Sequence, residues 1–259
     1  MVRFLIQSDV PAGEAARSVL AATTPTTPWG PDDPRPRMRL PTAVSPATPR
    51  LTGAALSLDG PSVSRLIGHE LTTRGVVATW DGLLRPALVA VSEGWSDHPH
   101  TIAVEHLLSH TITAALNAFR PPGPQASRPD VGPILLACAP EEQHELPVTV
   151  LAAALAERGV SPTVLGARTP RTATLIAAAL SASDVEHDPG APDLLAHVSV
   201  FCLLPDYADP GFLTGLADQV RVVAAGPGWA GKALPPTVHR ANSLGAALRA
   251  LLGPERDTP

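Results

Sequence analysis

The feature that most limits the fold of this chain is a change of rhythm near residue 120. Over 51–119, Leu66, Ile67, Leu71, Val76, Val77, Trp80, Leu83, Leu84, Leu88 and Val91 recur at the spacing of one helical face, and Leu107, Leu108, Ile112, Ala115 and Leu116 continue it. No β-branched alternation interrupts the pattern. After a Pro- and Gly-rich stretch at 120–132, apolar residues arrive in short blocks instead, at 133–139, 161–166, 197–204 and 220–225. Blocks of this length suit strands buried on both faces. The segments between and after them, 143–158, 170–181, 211–219 and 242–252, read as helices. The first part therefore predicts a small antiparallel four-helix bundle, with helices near 51–57, 60–73, 75–95 and 101–119. The second predicts a parallel sheet of four strands with helices on both faces.

Composition fits that division. Of the 259 residues 44% are hydrophobic, enough for a true core, but aromatics are only 3%, so the core is built mainly of Ala, Val and Leu. A net charge of −5 offers no basic face to a nucleic-acid backbone, and the three arginines of Pro-Arg-Pro-Arg-Met-Arg at 34–39 stand apart in a linker. Cys138 and Cys202 lie inside apolar runs and read as buried free thiols. There is no membrane-length apolar run and no secretory signal, which predicts a cytoplasmic protein. The expected organisation is a short helical segment at 1–24, a Pro-rich linker at 25–50, the bundle at 51–120 and the sheet domain at 131–253.

Two windows carry chemistry. The chain has four Trp and nine His, and the window Trp-Ser-Asp-His-Pro-His-Thr-Ile-Ala-Val-Glu-His at 95–106 holds one Trp and three His. Pro99 breaks the helix, so Trp95 ends one helix while Glu105 and His106 fall in the first turns of the next. All three then face one cavity. The second window, Ala-Pro-Glu-Glu-Gln-His-Glu-Leu-Pro at 139–147, follows the first strand. In parallel sheets ligands bind beyond the carboxyl ends of the strands, which puts His144 in the crevice. Glu142 stands two residues before it. A carboxylate bonded to one imidazole nitrogen leaves the other as an oriented, more basic metal ligand. Plainer readings exist for each residue. Glu142 and His144 suit a solvated helix start, and Trp95 suits the end of a bundle core. His106 and His110, four apart on a helix, suit a zinc pair. Trp80 and Trp229 are expected to pack, and His98 and His100 to be exposed loop residues.

The spacing adds a resemblance. Glu142-x-His144-x-x-Pro147 resembles the Asp-x-His-x-x-Gly motif of Rossmann-like corrinoid domains. Ser199-x-Phe201 stands in the place of the Ser-x-Leu of those domains, and Ala225-Gly226-Pro227-Gly228 in that of their Gly-Gly. Pro147, Phe201 and Ala225 depart from the pattern. Trp95-x9-Glu105-His106, directly upstream, resembles the cobalamin-dependent photoreceptor regulators of the MerR superfamily, the CarH/LitR type. The resemblance implies a multidomain α and α/β chain, a four-helix bundle followed by a Rossmann-like (flavodoxin-like) cobalamin-binding domain. It implies His144 as the lower cobalt ligand, the metal ligand of the chain, oriented by Glu142. Ser199, Gly226 and Gly228 would hold the nucleotide tail, and Trp95, Glu105 and His106 would surround the adenosyl group of adenosylcobalamin. Ser96 stands where some members of the family carry a histidine.

Regulators of this type begin with a winged helix-turn-helix, and residues 1–22 resemble only its last helices. The implied function is that of a non-enzymatic, light-responsive cobalamin sensor in the regulation of transcription. It would act through a protein partner, a related DNA-binding regulator, or as a homo-oligomer, with no specific DNA binding and no membrane. Two other readings remain. A corrinoid carrier for methyl transfer shares the architecture without needing Trp-x9-Glu-His. A degenerate, ligand-free interaction module is favoured by Pro147 and Ala225.

Overall fold

The fold is that of a computed structural model, which describes residues 45–94, 99–121, 128, 130–183, 196–218 and 220–253. The segment 1–24, the linker up to residue 44, Trp95 and His98 lie outside the described residues.

Among the described residues, four α-helices come first: α1 (Thr48–Leu56), α2 (Gly60–Thr79), α3 (Arg85–Gly94) and α4 (Pro99–Ala118). The Asp59 side chain caps α2 by accepting the Ser62 N–H at 3.0 Å, satisfying one of the donors a helix start leaves unpaired. Gly75, with φ 76° and ψ 175°, breaks α2 into two segments. Between α2 and α3 the chain makes a π-helical turn, Trp80–Leu84, which periodicity alone does not signal. Leu51, Val63, Ile67, Leu71, Leu83, Leu84, Val104, Leu108 and Ile112 are buried at the bundle's centre. His100 corrects one expectation. It is half-buried in the first turn of α4, not in an exposed loop, and its Nε2 lies 2.9 Å from the Leu56 carbonyl oxygen.

The sheet follows as β1 (Ile134–Cys138), α5 (Leu146–Ala156), β2 (Thr163–Gly166), α6 (Arg171–Ser183), β3 (His197–Phe201), α7 (Pro210–Ala217), β4 (Arg221–Ala225), β5 (Val238–Ala241) and α8 (Leu244–Leu252). Its order is β2-β1-β3-β4-β5 and every pair is parallel. Among the described residues the sheet has five strands where the sequence predicts four. In β5, Val238 and Ala241 are buried but His239 and Arg240 are exposed, so this edge strand shows no apolar block.

Side-chain alternation along the strands builds two cores. Leu135, Val198, Val200, Val222 and Ala224 pack with Ala178 of α6, Phe212 and Leu213 of α7, and Trp229. Trp229 is fully buried and its Nε1 donates to the Val200 carbonyl at 3.1 Å, a packing role as expected. Leu136, Val223 and Ala225 face the other way, toward Val148, Leu151 and Leu155 of α5 and Leu248 and Leu251 of α8. That second core is continuous with the bundle interior, because α5 touches the sheet on one side and α2 and α4 on the other. A helix packed on two sides must be apolar nearly all round, and α5 reads Leu-Pro-Val-Thr-Val-Leu-Ala-Ala-Ala-Leu-Ala. Cys138 and Cys202 are free and buried, one in each core. Among the described residues, no helix is long and apolar enough to cross a membrane.

Candidate functional site

The carboxyl ends of the strands and the bundle enclose a cavity of about 960 Å³. Its sheet side is set by register. Leu136 pairs with Ser199, and one step further along the strands Phe201, Ala225 and Ala241 lie side by side. All five line the cavity. Ser199 and the three alanines Ala225, Ala241 and Ala247 are small and buried, so the cavity continues as a slot between α5 and α8. Pro147, Val148 and Leu151 form the α5 wall of this slot, and Ser243, Leu244 and Ala247 its α8 wall.

At the mouth stands His144, its side chain half exposed. Glu142, fully buried, lies behind it. Glu142 Oε1 accepts the backbone N–H of His144 at 2.9 Å and lies 2.5 Å from its Nδ1. Oε2 accepts the backbone N–H groups of Leu203 at 2.6 Å and Leu204 at 3.3 Å. Burial pushes the Glu142 carboxyl up, but these hydrogen bonds outweigh it and hold the group below the ordinary carboxylate range. The imidazole is thus fixed at Nδ1 and presents Nε2 outward. That is the donor geometry of a metal-ligating histidine backed by a carboxylate.

Gly226 follows β4 on the cavity edge, with φ 99° and ψ 166°. A Cβ there would meet the Cys202 carbonyl oxygen at 2.5 Å and Phe201 Cε2 at 2.7 Å, so only glycine fits. Gly228 serves the same turn from behind. It is buried, its N–H donates to the Cys202 carbonyl at 2.9 Å, and it packs on Cys202, away from the cavity. The two thiols nearby are raised, mainly by burial and next by the Glu142 charge, Cys138 to about 12 and Cys202 to about 11.

The bundle supplies the opposite wall. Glu105 and His106 are exposed on α4 and line the cavity together with Ser109, His110 and Thr113 one turn and two turns on. Among the described residues, no group of three His, Cys, Asp or Glu side chains is placed to hold a metal ion, so His106 and His110 have no third ligand there. Sequence reasoning missed the rest of this wall. Trp80 packs against the bundle core, as expected of it, but it is only half-buried and also lines the cavity with Asp81, Arg85 and Leu88. The π-helical turn that holds Trp80 and Asp81 shifts the register of the side chains around it. For Ser109, His110 and Thr113 a signal existed, since they continue the α4 stripe of Glu105 and His106 at helical spacing.

The described residues form a parallel sheet with a histidine at its carboxyl edge, roofed by a helical bundle. Comparison with known proteins agrees. Residues 49–120 match the family model described as the B12 binding domain. Over 120 residues the chain is 34% identical to the HTH-type transcriptional repressor CarH of Myxococcus xanthus, a match covering 46% of this chain and 39% of that protein. The match thus spans well under half of this curated relative. Among solved structures, the monomethylamine corrinoid protein of Methanosarcina barkeri has the same fold. Its TM-score is 0.53 at 14% identity, covering 78% of this chain and 95% of that one.

Proposed function

We propose that the chain is a cobalamin-binding sensor in the regulation of transcription, responsive to light through adenosylcobalamin. One observation carries the reading: an outward imidazole backed by a buried carboxylate faces a deep slot on one side and a polar helical wall on the other. In this reading His144 is the cobalt ligand, for which imidazole is well suited, and Glu142 fixes its orientation. Ser199 and Gly226 flank the nucleotide tail in the slot, and Gly228 keeps the Gly226 turn in shape. Glu105 and His106, with Trp95 from the preceding segment, surround the upper group. When bound, adenosylcobalamin supplies a light-labile adenosyl group on the bundle side. The match of 49–120 to the B12 binding domain supports the ligand, and the identity to CarH supports regulation. Regulation would pass through a protein partner, a related DNA-binding regulator or a second copy of this chain.

The fold likeness to a corrinoid protein also suits a carrier for methyl transfer. The bundle wall favours the sensor. Asp81, Arg85, Glu105, His106 and His110 offer hydrogen bonds that a nucleoside can use and a methyl group cannot. The test is titration of the purified chain with adenosylcobalamin in the dark, with absorption recorded before and after green light. Uptake with a His-ligated spectrum, abolished in His144→Ala and altered by light, is expected. No uptake at high micromolar ligand would leave the ligand-free interaction module as the better reading.

A further inference from the structure

α5 connects the two halves of the chain end to end. Its first turn, Leu146 to Val148, lines the cavity, and its C-cap is Glu157. Glu157 Oε1 accepts the backbone N–H of Val76 at 3.1 Å, and Oε2 lies 3.4 Å from Arg158 Nη1. Val76 is the first residue after the break at Gly75. A helix that restarts there has N–H groups without a partner in the preceding turn. Val76 is buried, so water is a poor substitute for Glu157. A carboxylate at this point meets both an unpaired donor and the positive end of the new segment. The glycine side is equally close: a Cβ on Gly75 would stand 2.6 Å from Glu157 Oε1.

The segment that Glu157 caps leads straight to the cavity wall. Val76–Thr79 runs directly into the π-helical turn Trp80–Leu84, and Trp80, Asp81 and Arg85 line the cavity. We infer that Glu157 is a positioning residue for the ligand site: from the sheet domain it caps the half-helix after Gly75, and so sets where Trp80, Asp81 and Arg85 stand opposite His144. The identity of the ligand in this inference rests on the cobalamin reading, whereas the cap does not.

The test uses the full chain and the variants Glu157→Ala, Glu157→Gln and Gly75→Ala. Amide hydrogen exchange is measured without ligand, and affinity is measured for adenosylcobalamin and hydroxocobalamin. Glu157→Ala is expected to speed exchange over 76–84 about tenfold, the size of one lost helix cap, while 104–116 of α4 stays unchanged. It is expected to weaken adenosylcobalamin about five- to tenfold and hydroxocobalamin less than about twofold, since only the former reaches the bundle wall. Glu157→Gln keeps an acceptor oxygen and restores most of both effects. Gly75→Ala displaces the carboxylate and adds backbone strain at φ 76°, so it is expected to speed exchange over 76–84 at least as much as Glu157→Ala. Unchanged exchange over 76–84, a rise spread over the whole chain, no rescue by Gln, or equal loss for both cobalamins overturns the inference. If the wild-type chain takes up neither cobalamin, the cobalamin reading fails, and the exchange measurement still decides the cap.

Discussion

Glu142 holds His144 with one oxygen and the chain leaving β3 with the other. Oε1 serves the His144 backbone N–H and Nδ1, while Oε2 serves the N–H groups of Leu203 and Leu204. One buried carboxylate therefore locks the β1 and β3 loops together at the edge of the cavity. Its pKa is lowered in the folded state. A lowered carboxyl gives stability that is complete above the unfolded value, near 4.3 for Glu, and is lost as pH falls through the folded value. Thermal unfolding between pH 7 and pH 3 is thus expected to fall at the acid end for the wild type and to be flatter in Glu142→Gln. Glu142→Ala, which strips four hydrogen bonds from a buried place, is expected to cost about 2–4 kcal/mol. A pH profile identical in wild type and Glu142→Gln would assign the acid sensitivity to other groups, such as Asp209 beside Arg171.

Gly226→Ala is expected to destabilise the chain by about 2–4 kcal/mol, from a backbone region open essentially to glycine alone and from overpacking. The added methyl would stand 2.5 Å from the Cys202 carbonyl oxygen, a backbone atom, and 2.7 Å from Phe201 Cε2. Denaturant unfolding measures the loss. Gly228→Ala is expected to act in the same direction, since its Cβ would meet the same carbonyl at 2.8 Å.

The raised thiols predict chemical silence. With Cys138 near 12 and Cys202 near 11, both thiols are protonated at pH 8, and both are buried. Iodoacetamide at pH 8 is expected to leave the folded chain unlabelled and to label both residues once denaturant is added. Rapid labelling of the native chain would mean that the loops around Glu142 open readily.

Much of this was legible in the sequence. The helical rhythm before residue 120 and the apolar blocks after it specify the fold class, because one period of 3.6 and one of short buried runs have different packing solutions. Glu142 and His144 were legible because a loop after the first strand of a parallel sheet has only one place to go. The bundle wall was not. A tryptophan at an inward helical position looks the same whether it meets core alone or core and cavity, so the packing of Trp80 was legible and its cavity face was not. Asp81 and Arg85 carried no signal in the sequence, because the π-helical turn that places them beside the cavity leaves no periodic trace. The edge strand β5 failed for the opposite reason, since exposed His239 and Arg240 dilute its apolar content.

Trp80 both packs on the bundle core and faces the cavity, which makes it a probe of the bundle wall. It offers an aromatic surface to the cavity from the bundle side, opposite His144 and beside Asp81 and Arg85. A ligand that reaches only the sheet side leaves this surface untouched, whereas one carrying a nucleoside on its upper face covers it. If the proposed cobalamin reading holds, Trp80→Ala is therefore expected to weaken adenosylcobalamin by about 1–3 kcal/mol, from lost apolar burial and ring contact, with hydroxocobalamin changed far less. Because Trp80 is half-buried, the same variant costs some stability, so unfolding is measured in parallel and binding is compared at a temperature where both chains are folded. Trp80→Phe, which keeps a flat ring, is expected to recover most of the adenosylcobalamin affinity. Equal weakening of both cobalamins would mean that Trp80 only supports the bundle, and would return it to the packing role that its helical spacing suggests.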